Sequence, residues 1–286
     1  MHELKRVLVV GAGTMGSQIA LQTAMSGHYD VILVDSVDGQ LERARTQNIR
    51  LLDRAVEKGR MTREAATEAL ARIKDEKDLA AAAGEADLVI EAVIEDFDAK
   101  KGVFTTLGKQ AKKDAILASN SSTIAISRLA GFTGSPERCC NMHFFHPVTV
   151  MQLCEVVRGP KTSDTTVEAA MEFVRSIERT PVLLQKEIWG FIVNRILFAA
   201  SEEAMHLLEG GYASAEDIDI AVQKGLNWPM GPFHLLDFSG LDIFYGAMKD
   251  RHRQGEGADG PELLKKLVEE GKLGRKTGRG FFDYSS

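Results

Sequence analysis

Short apolar runs alternate with longer amphipathic stretches over the first two thirds of the chain. The runs Val7–Val10 and Val31–Val34 are continuously apolar, which is typical of strands buried on both faces of a parallel sheet. Leu41–Lys58 has apolar residues at helical spacing with charges between them, so it predicts a helix. The same patterns predict strands at Leu88–Val93, Ala115–Ala118, Asn141–Phe145, Met151–Val156 and Pro181–Leu184, and helices at Ser17–Met25, Arg63–Ile73, Ala99–Ala111, Ser127–Ala130 and Thr165–Ile177. This alternation predicts an α/β fold with a Rossmann-type, doubly wound, mostly parallel sheet.

The pattern changes after Gln185, where helical stretches replace the alternation. Gly190–Glu209 is long and amphipathic, and Ala215–Gly225 follows Ser214, a typical N-cap residue. Further helices are predicted at Phe233–Phe238, Leu241–Arg251 and Pro261–Gly271. We therefore expect two domains, with residues 1–187 containing the sheet and residues 188–286 forming a smaller all-helical C-terminal domain.

The composition is that of an ordinary folded protein. Hydrophobic residues make up 44% and charged residues 27% of the 286 residues, and the formal net charge is −6, which argues against extensive disorder and against nucleic acid as a partner. The three cysteines form no CxxC pair, so we expect neither a disulfide framework nor a metal site. There is no signal-peptide core and no run of about 18 apolar residues. The sequence predicts a cytoplasmic protein without a membrane span.

The first predicted strand leads into a glycine-rich turn formed by Gly11, Ala12, Gly13, Thr14, Met15 and Gly16. In such a GxGxxG turn, the glycines permit a tight bend, approach of a pyrophosphate and close packing of the next helix, whose positive end faces the phosphates. Asp35 follows 19 residues after Gly16, near the spacing of a carboxylate that binds a ribose 2′-hydroxyl. The same carboxylate would repel a 2′-phosphate. The combination predicts NAD rather than NADP, whereas the turn alone could be an ordinary strand-to-helix connection.

Residues 119–123 form a polar cluster, Ser-Asn-Ser-Ser-Thr, after a predicted strand. Open α/β sheets bind ligands outside the carboxyl ends of their strands, so these side chains are candidates for ligand binding. The alternative is a polar turn that caps the following helix.

His143 and Glu155 lie on two predicted strands on either side of a turn at Pro147. A carboxylate inside an apolar strand is costly unless it is paired, and a histidine across the turn would make a pair suited to general acid–base chemistry. A buried structural pair is the alternative.

Asn194 is the uncharged polar side chain in residues 191–197, and it either lies on a helix surface or faces a ligand.

Several distinct motifs occur together in one order. After the glycine-rich turn come IEAVIE at residues 90–95, SNSS at 119–122, HFFHP at 143–147, GFIVNR at 190–195, PMGP at 229–232 and GRKTGRGFFDY at 274–284. With these motifs the chain resembles the 3-hydroxyacyl-CoA dehydrogenase family over nearly its whole length, and in particular its stand-alone 3-hydroxybutyryl-CoA dehydrogenases.

The resemblance implies an NAD-dependent interconversion of (S)-3-hydroxyacyl-CoA and 3-ketoacyl-CoA. It implies His143 as the acid–base, oriented by Glu155, with Ser122 and Asn194 as the other catalytic positions, which also contact the substrate. The implied NAD contacts are Gly11–Gly16, Asp35, Glu95, Lys100, Ser122 and Lys276. The implied CoA contacts are Arg54 and Lys58, for which a solvated helix face is the alternative.

Three residues depart from the family pattern, and two of them, His146 and Trp189, leave the substrate range open. The family usually has Asn where this chain has His146, Pro where it has Trp189, and Thr where it has Ser121. One alternative is a relative that oxidises a 3-hydroxy acid other than a CoA thioester, such as a sugar acid or carnitine, which would not need Arg54 and Lys58. Another is a non-enzymatic, crystallin-like NAD-binding protein, although all four implied catalytic positions have competent residues.

Two stretches of the C-terminal domain, Gly190–Phe198 and Phe233–Phe244, are more apolar than one small helical domain needs. The second contains Leu235, Leu236, Phe238, Leu241, Ile243 and Phe244. An exposed apolar patch usually marks an interface, and the resemblance implies dimerisation through this domain. We therefore expect a homodimer.

Overall fold

The computed structural model describes residues 4–257 and 260–285. It divides into two compact units, one ending at Phe191 and the other beginning at Ile192. Within the described ranges, no helix combines the length and the apolar character that crossing a membrane requires.

The first unit is built on one eight-stranded sheet. Its strands are β1 Arg6–Val10, β2 Asp30–Val34, β3 Ile73–Glu76, β4 Leu88–Glu91, β5 Ile116–Ser119, β6 Cys139–Phe144, β7 Leu153–Arg158 and β8 Thr180–Leu184. They lie in the order β3-β2-β1-β4-β5-β6-β7-β8, and every pair is parallel except β6 and β7. The order from β3 to β6 is that of a Rossmann fold, whose ligand crevice opens where the winding reverses, between β1 and β4. The predicted doubly wound, mostly parallel sheet is confirmed.

Helices cover both faces of this sheet and explain why the strands are apolar throughout. In chain order they are α1 Thr14–Met25, α2 Gln40–Glu57, α3 Arg63–Ala71, α4 Leu79–Ala83, α5 Phe97–Gln110, α6 Ser127–Ala130 and α7 Asp164–Ser176. Alternate residues of a strand face opposite sides, and Val7 and Val9 belong to one core cluster while Leu8 and Val10 belong to the other.

Some predicted bounds are wrong, and two elements were not predicted. The helix predicted at Arg63–Ile73 ends at Ala71, because Ile73 begins β3 and pairs with Val31. Neither β3 nor α4 was predicted, since a polar edge strand and a single helical turn have little periodicity. The helix predicted at Gly190–Glu209 begins at Val193, because Gly190 and Phe191 have φ angles of +71° and +51°, outside the range of a right-handed helix.

The second unit is mainly helical, as predicted. Its helices are α8 Val193–Glu209, α9 Ala215–Leu226, α10 Pro232–Ser239, α11 Leu241–Arg253 and α12 Glu262–Glu269, followed by a 3₁₀ turn at Arg275–Thr277. Ser214 caps α9 as predicted, accepting a hydrogen bond from the Asp217 amide. The buried Asp237 carboxylate accepts the amide hydrogens of Phe281 and Phe282 at 2.9 and 3.0 Å, so it anchors the C-terminal segment within this unit.

Candidate active site

The turn between β1 and α1 leaves an open space at one glycine and none at the others. A Cβ atom on Gly11, whose φ is +102°, would lie 2.6 Å from the Ala92 carbonyl oxygen, and one on Gly16 would lie 1.8 Å from the Gly11 carbonyl oxygen. A Cβ atom on Gly13 would meet nothing within 4 Å. Helix α1 begins after Gly13 with no side-chain cap and no acidic residue in its first turn. The turn therefore has room for an anionic group at the positive end of a helix.

A cavity of about 490 Å³ adjoins this turn. Its apolar lining residues are Val10, Val34, Val37, Leu79, Ala92, Val93, Ile94, Ala99 and Val103. Asp35 also lines it, and its two carboxylate oxygens accept hydrogen bonds from the amides of Ala12 and Val37, both at 2.8 Å. The Gln40 side chain donates to the Ala12 carbonyl at 2.9 Å. Both backbone polar groups of Ala12 are thus hydrogen-bonded to side chains. The apolar cavity with one carboxylate fits the adenosine half of a dinucleotide.

A charged cluster of Glu91, Glu95 and Lys100, of which Glu91 and Lys100 are buried, lies near the carboxyl ends of β4 and β5. Lys100 on α5 is 1% exposed, and its ammonium lies 2.7 Å from Glu91 Oε1 and 3.1 Å from Glu95 Oε2. Burial alone would raise the pKa of Glu95, but the charge of Lys100 and hydrogen bonds from Ser121, Lys100 and Thr123 together lower it below the usual glutamate value. The Lys100 ammonium therefore favours the charged form of Glu95, and it lies between two carboxylates.

The loop at residues 119–123 is tied to this cluster and to β6. Glu95 Oε1 accepts hydrogen bonds from the hydroxyls of Ser121 and Thr123, and Asn120 Oδ1 accepts the Phe144 amide at 2.9 Å. Ser122 makes no side-chain hydrogen bond within the described ranges. Its neighbours anchor the loop, and its own hydroxyl stays available to a ligand.

His143 and Glu155 form a buried pair, as their positions around the turn predict. They are directly opposite each other in the antiparallel ladder of β6 and β7, with His143 Nδ1 2.8 Å from Glu155 Oε2. His143 is 7% exposed and Glu155 is fully buried. The ring centroids of Phe145 and Phe191 lie 4.5 and 5.6 Å from the centroid of the imidazole. Because Glu155 engages Nδ1, the ring has Nε2 for proton exchange with a ligand.

The remaining predicted site residues lie elsewhere in the two units. Arg54 in the last turn of α2 and Lys58 just after it are exposed. In the second unit, Asn194 is half-buried in the first turn of α8, and Lys276 forms an ion pair with Asp242 on α11. Of the three residues that depart from the family pattern, His146 is exposed and Trp189 is buried.

Two residues near the site were not predicted. Glu91 is a fully buried carboxylate at the end of an apolar strand, so the rule that pointed to Glu155 applies to it as well. Gln40, which holds the Ala12 peptide, has no comparable signal, because a glutamine at the start of an amphipathic helix is common.

A Rossmann sheet with an open glycine turn and a buried His–Glu pair defines a dinucleotide-dependent oxidoreductase. The profile of the 3-hydroxyacyl-CoA dehydrogenase NAD binding domain matches residues 6–188, and the profile of the C-terminal domain of the same family matches residues 190–284. The chain belongs to the 3-hydroxyacyl-CoA dehydrogenase family, and its cofactor is NAD.

Individual relatives match this chain over nearly its whole length. A 3-hydroxybutyryl-CoA dehydrogenase of Bradyrhizobium diazoefficiens is 42% identical over 286 residues, covering 98% of this chain and 96% of that protein. The crystal structure of (S)-3-hydroxybutyryl-CoA dehydrogenase PaaH1 from Ralstonia eutropha matches with a TM-score of 0.94 and 37% identity, over 99% of this chain and 100% of that one. A diketoreductase structure, described as acting on dicarbonyl compounds, matches with a TM-score of 0.89 and 35% identity, again over 99% and 100%.

The glycine turn gives a matched pair of substitutions. Gly16→Ala places its methyl group against the Gly11 backbone, so we expect the free energy of unfolding to fall by about 1–3 kcal/mol or more. Gly13→Ala should leave the melting temperature unchanged, because its methyl group meets no protein atom, but should weaken NADH binding by obstructing the phosphates. Thermal unfolding and NADH fluorescence titration measure the two effects. Equal destabilisation by both changes would contradict the geometry.

Proposed function

We propose that this protein interconverts (S)-3-hydroxyacyl-CoA and 3-ketoacyl-CoA with NAD, and that 3-hydroxybutyryl-CoA and acetoacetyl-CoA are its preferred pair. The observation that carries the proposal is the buried His143–Glu155 pair, in the same unit as an open dinucleotide turn. Family membership over both domains supports the CoA thioester as substrate class.

Oxidation of a secondary alcohol removes a proton from oxygen and a hydride from carbon. NAD held at the glycine turn of residues 11–16 would supply the hydride acceptor. His143 takes the hydroxyl proton at Nε2, while Glu155 holds the Nδ1 hydrogen and stabilises the imidazolium that forms. In the reverse direction the protonated His143 returns the proton to the ketone oxygen. Because both groups are buried, their mutual attraction is little screened by water.

The other predicted residues are assigned to binding in the same proposal. Ser122 and Asn194 hydrogen-bond the reacting oxygen and the thioester carbonyl, which orients the substrate for transfer. Asp35 binds the ribose diol. Glu95, Lys100 and Lys276 belong to the NAD site. Arg54 and Lys58 contact CoA phosphates, for which two exposed cations are suited.

We further propose that residues 1–187 form the NAD-binding domain, which also provides the substrate contacts of Arg54, Lys58 and Ser122. Residues 188–286 form the domain that completes the substrate site and mediates dimerisation. We also place the protein in the cytoplasm, in keeping with three free, buried cysteines in the described chain and a net charge of −6, which suits neither a disulfide scaffold nor nucleic-acid binding.

A second candidate function is the reduction of a dicarbonyl compound that is not a CoA thioester. The 35% identity to a diketoreductase over the whole chain favours it. That activity would need the same cofactor turn and His–Glu pair, and it would not depend on Arg54 or Lys58.

An assay of NADH oxidation at 340 nm separates the two candidates. We expect acetoacetyl-CoA to be reduced with a much higher kcat/KM than free acetoacetate or a simple diketone, and NADH to be used in preference to NADPH. A combined Arg54→Ala and Lys58→Ala variant should raise the KM for acetoacetyl-CoA and leave that for the diketone unchanged. Equal activity on the diketone and the thioester would favour the second candidate.

Substitutions of the His–Glu pair should differ in kind. His143→Asn removes the proton carrier, so kcat should fall by roughly 10²–10⁴-fold with nearly unchanged NADH affinity. Glu155→Gln keeps the shape but removes the counter-ion of the imidazolium, so the pH profile of ketone reduction should break at lower pH than in the wild type. The double variant should be little slower than His143→Asn alone. Retention of most of kcat in His143→Asn would make the pair structural, and the exposed His146 would then be the next candidate.

The apolar stretch of the C-terminal unit contains both buried and exposed residues. Leu236, Leu241 and Phe244 are buried within the unit, whereas Phe238 and Ile243 are 62% and 64% exposed. We expect these exposed residues to contribute to a homodimer interface, so light scattering at micromolar concentration should give the mass of a dimer. A combined Phe238→Ser and Ile243→Ser variant should shift the mass towards the monomer, while Val182→Thr in the sheet should not. A monomeric wild-type protein would contradict this expectation.

A further inference from the structure

The cavity beside the glycine turn contains one cationic side chain. Among the described residues that line it, Lys77 is the only cation and Asp35 is the only anion. Lys77 directly follows β3, which pairs with β2, and the Asp35 amide donates a hydrogen bond to the Glu76 carbonyl at 3.3 Å. Lys77 and Asp35 are therefore neighbours just beyond the ends of these two strands. A cation thus lies in the part of the cavity where we place the adenosine ribose.

The main chain around Lys77 is fixed by two carboxylates. Glu76 Oε1 accepts the amides of Lys77 and Asp78 at 2.8 and 3.2 Å. Asp78 in turn caps α4 and accepts the amides of Ala80 and Ala81 at 2.8 and 3.3 Å. The side chain of Lys77 is 69% exposed, so its ammonium can turn towards a ligand while its backbone stays in place.

Asp38 is the carboxylate that faces this ammonium. Its Oδ1 atom lies 2.8 Å from Lys77 Nζ, and their hydrogen bond and opposite charges lower the pKa of Asp38 and raise that of Lys77. Asp38 lies in the loop between β2 and α2, of which Asp35, Ser36 and Val37 line the cavity. The Asp38 side chain is 93% exposed, and an exposed ion pair is weak. The ammonium is therefore neutralised by Asp38 without being locked to it.

A phosphate on the adenosine ribose is the chemical difference between NADP and NAD. Such a phosphate carries close to two negative charges at neutral pH, and NADP sites of this fold place a cation nearby to receive it. A lysine ammonium binds phosphate as a point charge. The cavity of this chain has such a cation in Lys77, but Asp38 is paired with it and Asp35 lies beside it.

We propose that Asp38 is a specificity-determining residue for NAD, which acts by pairing with Lys77 and so withholds this ammonium from a 2′-phosphate. Asp35 repels the phosphate directly, and Asp38 neutralises the cation that would otherwise bind it. The inference rests on the proposed function, which places the ribose at Asp35. It adds to that function a second carboxylate whose effect depends on its lysine partner.

Binding of adenosine fragments tests the proposal without any reaction. Adenosine 2′,5′-bisphosphate and AMP differ only in the 2′-phosphate, and calorimetry gives the Kd of each. We expect Asp38→Asn to tighten binding of the bisphosphate by about fivefold, near the upper limit for an exposed ion pair, and to leave that of AMP within about twofold. Asp30→Asn at the opposite end of β2, where Asp30 pairs with Arg72, is the matched control. An unchanged Kd of the bisphosphate in Asp38→Asn would overturn the proposal.

A second set of variants tests whether the effect passes through the lysine. In an Asp35→Asn background, which lacks the direct repulsion, adding Asp38→Asn should tighten binding of the bisphosphate further. Adding Lys77→Met to this double variant should weaken that binding by about fivefold or more and leave AMP binding nearly unchanged. All these side chains are on the surface, so thermal unfolding should confirm that the variants fold. An unaltered Kd of the bisphosphate on adding Lys77→Met would show that Asp38 acts by its own charge, which would overturn the proposal.

The intact cofactors separate failure of the inference from failure of the proposed function. Fluorescence titration gives the Kd of NADH and of NADPH, and we expect Asp38→Asn to narrow the ratio between them by about fivefold while NADH is still preferred. Wild-type protein that binds NADPH as tightly as NADH would refute the ribose contact of Asp35 in the proposed function, and the inference with it. A wild-type preference for NADH that Asp38→Asn leaves unchanged would refute the inference alone.

Discussion

The structure of the first unit depends on how it finds partners for carboxylates that its sheet buries completely. Glu91 at the end of β4 and Glu155 in the middle of β7 are both inaccessible to water. An unpaired buried charge costs several kcal/mol, so each carboxylate must have a partner that the fold places nearby. Lys100 meets this requirement for Glu91, and His143 meets it for Glu155. The same requirement therefore generates both the candidate acid–base pair and the cluster that holds the neighbouring loop.

The antiparallel pairing of β6 and β7 is what makes the second of these pairs possible. All other neighbours in the sheet are parallel, and parallel strands need a long crossover before they can pair. The short connection through Pro147 instead returns the chain at once, and the register places His143 opposite Glu155. A slip of one residue would turn one of these side chains to the other face of the sheet. The hairpin is consequently the element on which the candidate chemistry depends most directly.

Most of the fold and part of the site could be predicted from the sequence, because buried parallel strands and glycine turns have strong local signals. Edge strand β3, with the sequence Ile-Lys-Asp-Glu, has no such signal, since only its pairing with β2 makes it a strand. The left-handed conformation of Phe191 was also unpredictable, because a bulky residue rarely adopts a positive φ angle. The cluster of Glu91, Glu95 and Lys100 could be predicted only in part. Glu91 was detectable as a carboxylate in an apolar strand, but its partner on the following helix depends on packing.

Asp35 has a structural role beside the recognition role that we propose for it. The carboxylate that we propose to disfavour a 2′-phosphate also accepts the amides of Ala12 and Val37, and Gln40 donates to the carbonyl of the same Ala12. Removing the whole side chain would therefore release the glycine turn as well as the charge. Replacing it with asparagine would keep one acceptor oxygen for the turn while removing the repulsion. The hydrogen bond that Asp35 accepts from Ala12 and its negative charge can therefore be tested separately. Among substitutions of Asp35, we expect a change of cofactor preference only in a variant that keeps this hydrogen bond and loses the charge.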